Sequence, residues 1–92
     1  MAQRSAPIVD SRTLTLALKR EWDTASAAMR LAEDELALCC DKQILNAGIR
    51  ARRLMRGAAR SLKMCIAISR DHAAAMRAEQ RAARRNDSDA SA

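Results

Sequence analysis

The sequence predicts an all-α protein: an antiparallel hairpin of two long Ala-rich helices, with two copies packing into a four-helix bundle. Three observations lead there. The chain has 92 residues, room for one small domain. Its hydrophobic content is 49%, but alanine dominates it, and one Trp with no Phe or Tyr leaves little bulk for a self-sufficient core. Two Gly and one Pro are too few to punctuate a sandwich, a barrel or an alternating α/β fold, while apolar residues recur at helical spacing in both halves.

The elements follow in order. Residues 1–9 read as a flexible N-terminal arm, in which Pro7 favours extended backbone at Ala6. Asp10 is the expected N-cap of the first helix, with Val9 and Leu14 placed as a hydrophobic staple. An apolar stripe then runs Leu14, Leu18, Trp22, Ala25, Met29, Ala32, Leu36. It lapses over residues 40–46, where the chain is expected to turn about a midpoint between Gln43 and Ile44. A second stripe runs Ala51, Met55, Ala58, Leu62, Cys65, Ser69, His72/Ala73, Met76 and continues to about Arg85. Residues 10–85 thus form the hairpin domain. Residues 86–92, Asn-Asp-Ser-Asp-Ala-Ser-Ala, have nothing to bury and read as a disordered acidic tail.

Folding about that midpoint sets residues whose numbers sum to 87 opposite each other. The layers are Leu14/Ala73, Leu18/Ser69, Trp22/Cys65, Ala25/Leu62, Met29/Ala58, Ala32/Met55 and Leu36/Ala51. Each sets a large side chain against a small one, which fills the space between helices without voids. The turn itself carries no Gly or Pro. A break at Gly48 would shift the register, and one at Gly57 would give a three-helix bundle, the alternative fold. Leu16, Leu31, Leu38, Ile44, Leu45, Ile49, Leu54, Ile66 and Ile68 fall off the stripes and need cover, which homodimerisation supplies.

Charge supplies the functional signal. The 17 Lys+Arg against 11 Asp+Glu give a net +6, and the excess is confined to the second half. Between residues 49 and 85 the only acids are Asp71 and Glu79. Arg53, Arg56, Arg60, Lys63, Arg70, Arg77, Arg81 and Arg84 recur at helical steps and form a basic stripe on one flank of the second helix, beside its apolar face. The stripe spans about 46 Å at 1.5 Å per residue, longer than one ~34 Å turn of B-DNA. Such a row can neutralise successive phosphates of a DNA or RNA backbone. The register sets Glu33, Asp34 and Glu35 across from Arg52, Arg53 and Arg56, where they would neutralise that end of the stripe. The alternative function is a protein-interaction module, an inhibitor or adaptor of the phage or plasmid type, that docks the stripe on an acidic protein surface or occludes a partner's nucleic-acid site. Base stacking is disfavoured, because Trp22 is the sole aromatic and belongs to the core stripe. A helix-turn-helix around Gly48 would place Gly57 inside the recognition helix and offer few side chains that read bases.

Other chemistries lack their residues. No G-x-S-x-G, H-E-x-x-H or Gly-rich phosphate loop is present, so no enzyme, catalytic residue, cofactor or small-molecule substrate is expected. Cys65 and His72 stand two helical turns apart, about 10.5 Å, too far to share one metal ion. Three cysteines make no secreted disulfide framework, and no early apolar run reaches the length of a signal or membrane span. The expected setting is the cytoplasm, with no membrane partner.

Overall fold

The computed structural model describes residues 9–91, with side chains placed through Ser88. The N-terminal arm expected over residues 1–9 therefore lies almost wholly outside the described residues, as does Ala92. Two helices account for nearly all the rest: α1, Ser11–Lys42, and α2, Leu45–Ser91. They pack against each other as an antiparallel hairpin.

α1 starts where the capping pattern places it. Asp10 adopts extended backbone (φ −77°, ψ 165°) and its Oδ1 accepts from the Thr13 N–H at 2.9 Å, satisfying a donor with no partner inside the helix. The turn falls on Gln43 and Ile44, the pair between which the sequence sets its midpoint. The left-handed conformation that a helix end commonly assigns to Gly is taken by Gln43, at φ 56° and ψ 38°. Its side chain donates to the Cys40 carbonyl at 3.1 Å, and the Ile44 N–H donates back to the Leu38 carbonyl at 3.4 Å.

Neither glycine breaks a helix. Gly48 is buried in the first turns of α2, against α1: a Cβ there would stand 2.9 Å from the Cys39 Sγ, so the missing side chain permits the close approach. Gly57 lies within α2, and a Cβ there would meet only the Arg60 Nη2 at 3.8 Å. The three-helix alternative is thereby excluded.

The contacts across the hairpin keep the expected register. Cys39 lies against Gly48, Thr15 bonds His72, and Leu18, Trp22, Cys65 and Ser69 line one groove. The core is narrower than the layers predict. Its buried members are Ala25, Ala32, Ala47, Ala51, Ala58, Ser61 and Cys65, and no large side chain is fully buried. Trp22, Met29, Leu36 and Met55, expected to fill the layers, stay between 40% and 52% exposed. Ala25 and Ala32, like Ala51, Ala58 and Cys65, recur every seven residues, so each helix offers the other a ridge of small side chains. Helices meeting on such ridges approach too closely to admit large residues between them, and Trp22, Met29, Leu36 and Met55 are turned out to one side of the seam.

α2 also runs farther than its composition suggests. It continues through Ser91, past Arg85, over the stretch read as a disordered tail. No Gly or Pro follows Gly57 to stop it, and residues 81–85 are strong helix formers. The result is a rod with extents of 72 × 35 × 13 Å. α1 begins opposite Glu79, and from Arg77 through Ser88 every α2 residue is exposed.

Candidate nucleic-acid interface

All eight cations of the stripe lie on α2 and all are exposed. Arg56, Lys63, Arg70, Arg77 and Arg84 recur every seven residues, about 10.5 Å apart along the axis. The residues that α2 turns toward α1, Ala51, Ala58 and Cys65, share that repeat. Seam and stripe therefore rotate together along the helix. Arg56 and Arg60 flank Ala58 by two residues on either side, which is about 160–200° around the helix. At Arg56 and Arg60 the stripe thus lies on the outer side of α2, away from the packed face, whereas Arg70 comes to the edge of the groove that Leu18 and Trp22 line. Arg53 through Arg77 stand on the stretch backed by α1, whereas Arg81 and Arg84 stand on the overhang.

Neutralisation by α1 differs from expectation. Glu35 bonds Arg50, through Nε at 2.6 Å and Nη2 at 3.2 Å, and not Arg52, Arg53 or Arg56. Among the described residues none of the eight stripe cations takes part in a salt bridge. The Arg50 hydrogen bond holds the Glu35 carboxyl below its ordinary range and raises Arg50 in turn. The reason is registral. Glu35 and Arg50 lie beside the interhelical seam, whereas Arg53 and Arg56 stand on the side of α2 away from it.

A second polar constellation closes the open end of the hairpin. Glu79 of α2 accepts from the Ser11 N–H at 2.9 Å and from the Ser11 hydroxyl at 2.7 Å, so it caps the first turn of α1 from across the molecule. Those two bonds lower its pKa, and nearby Asp10 opposes the shift. Thr15 Oγ1 donates to the Ser11 carbonyl at 2.8 Å and meets His72 Nε2 at 3.0 Å. In the sequence Glu79 stands only as one of two acids in a basic stretch. The signal available was its register position, close to the N-terminus of α1, where a negative charge is favoured.

Trp22 is the other revision. Read as core, it is 52% exposed and lies in a groove with Leu18, Leu62, Cys65, Ile66 and Ser69, with Arg70 at the edge. The three cysteines are free thiols: Cys40 exposed, Cys39 half-buried, Cys65 buried. Among the described residues no three His, Cys, Asp or Glu side chains come together in a way that could hold a metal ion. None of the described helices is long and apolar enough to cross a membrane. No family model, curated protein or solved structure matches the chain.

Proposed function

We propose that the chain is a non-enzymatic cytoplasmic protein that dimerises into a four-helix bundle and binds a nucleic-acid backbone electrostatically through the stripe on α2. One observation carries the reading. Eight exposed cations, none salt-bridged among the described residues, follow two adjacent seven-residue rows along one long helix. Such an array has low intrinsic specificity for bases and high affinity for regularly spaced phosphates, because each neutralised phosphate releases condensed counterions. Arg70 sits near the middle of the stripe and Arg77 one seven-residue step beyond it, so both contribute to any contact that spans it.

Titration of the purified protein into duplex DNA, duplex RNA and single strands at several salt concentrations tests the reading. Sub-micromolar binding to duplex DNA is expected, with a log–log salt slope of about −5, corresponding to about five or six neutralised phosphates. Replacing Arg70→Glu with Arg77→Glu is expected to abolish binding and to leave helicity unchanged. Absence of binding at low salt overturns the nucleic-acid reading and redirects the stripe to an acidic protein surface.

A further inference from the structure

We propose that the apolar groove around Trp22 is the surface through which two copies of this chain associate. The inference rests on the dimer reading above and assigns it a specific face.

The groove lies along the junction of the two helices, with Leu18 and Trp22 from α1 and Leu62, Cys65, Ile66 and Ser69 from α2. Trp22 and Ile66 stand on its walls, 52% and 54% exposed. Seven-residue steps extend the same face along both helices, to Met29 and Leu36 on α1 and from Leu62 to Met55 and Met76 on α2, with the four new members 40–41% exposed. No charged residue interrupts these positions. The other side of the interhelical seam differs. Glu21 and Glu35 each precede Trp22 and Leu36 by one residue, 100° around α1, and Glu35 is tied there to Arg50. One side of the hairpin is therefore a mainly apolar strip, interrupted on α2 by Ser69 and bordered by Arg70, and the other is crossed by charge.

Two arguments commit this strip to a second copy. The first is area. The chain exposes 7333 Å², against about 5,300 Å² for a compact monomer of this mass, an excess of about 2,000 Å² to which the strip and the α2 overhang both contribute. A stable dimer buries about 1,200–2,000 Å² in total, so covering half of that excess on each chain suffices. The second is stability. A fold whose interior is alanine, serine and one cysteine has no large buried side chain to hold it, so its partner must be present whenever the chain folds. A second copy meets that requirement at fixed stoichiometry. The face also has the form that a twofold contact needs: a projecting indole and, beside it, a recess lined by Leu62 and Ile66 into which the partner's indole fits.

Sedimentation of the full chain, combined with iodide quenching of its one Trp, tests the seam without any variant. A two-chain species at micromolar concentration with Trp22 shielded from iodide supports it, and dilution into the monomer range must then restore quenching. Ile66→Glu is expected to weaken association about 100-fold, because it buries an unpaired charge, whereas Met64→Glu, on the charged side, leaves it unchanged. A monomer at 100-fold higher concentration overturns both the seam and the dimer. A dimer whose Trp22 is freely quenched overturns the seam alone. Quenching of Trp22 by oligothymidylate with unchanged mass also overturns it, since the groove would then stack bases.

Discussion

Gln43 occupies a conformation that costs a β-carbon-bearing residue about 1 kcal/mol relative to glycine. Its compensation is one hydrogen bond to the Cys40 carbonyl on an exposed turn. Gln43→Gly is therefore expected to raise stability by about 0.5–1 kcal/mol, read from the urea midpoint. Asp10, Glu35 and Glu79 make a pH prediction of definite sign. Hydrogen bonds lower all three carboxyls below ordinary values of 3.8 for Asp10 and 4.5 for the glutamates. A depressed folded-state pKa stabilises above the unfolded value and loses that contribution as pH falls through the folded one. Helicity is expected to hold from neutral pH to about 5 and to weaken below 4.5, and Glu79→Gln should make the acid transition shallower. At this scale the sequence is legible where side-chain chemistry acts locally. Asp10 is readable as a cap because its partner lies three residues away. Glu79 is not, because its partner is Ser11, across the hairpin.

The two glycines separate local propensity from packing within a single element. A Cβ at Gly57 would meet only the mobile end of Arg60, at ordinary van der Waals distance, so Gly57→Ala is expected to stabilise α2 by about 0.5–1 kcal/mol. Gly48 faces the Cys39 thiol, and the same change there must move that side chain or push the helices apart. Gly48→Ala is expected to fall at least about 1 kcal/mol below Gly57→Ala, with Cys39→Ala recovering part of the difference. Ala58, 3% exposed, tests the ridge directly: Ala58→Leu should destabilise by about 1–3 kcal/mol through overpacking. Thermal or urea unfolding of each variant reads these differences. The seven-residue rhythm made the facing positions legible, and with them the turn and the register. It did not show how close the helices come. A pattern of alternating large and small residues fits both a wide bundle with filled layers and a narrow one. Gly48, Ala51, Ala58, Ala25 and Ala32 decide for the narrow one, which is why Trp22, Met29 and Met55 emerge at one side.

The whole molecule is a rod of unequal helices. Its radius of gyration is 20.6 Å, against about 12 Å for a compact chain of this length. The packed stretch ends at the Ser11–Glu79 clasp, beyond which α2 extends past the start of α1, with Asp87 near a helix end whose dipole disfavours negative charge. Helix in that overhang exists only because it is continuous with the packed stretch and needs no nucleation of its own. Its opening free energy is accordingly the lowest in the molecule. Arg81, Arg84 and Arg85 all lie there, so limited trypsin treatment of the free protein is expected to cut α2 first after these residues and to spare Arg53 through Arg70. The same arginines belong to the stripe or adjoin it. A polyanion bound along α2 would neutralise them and hold the overhang helical, so protection from trypsin should rise with duplex concentration and disappear at high salt. A ligand confined to the packed stretch predicts the opposite, with cleavage at Arg81 and Arg84 unchanged while Arg70 and Arg77 are covered. The position of the first cut in the complex therefore reports how far along α2 the bound surface reaches.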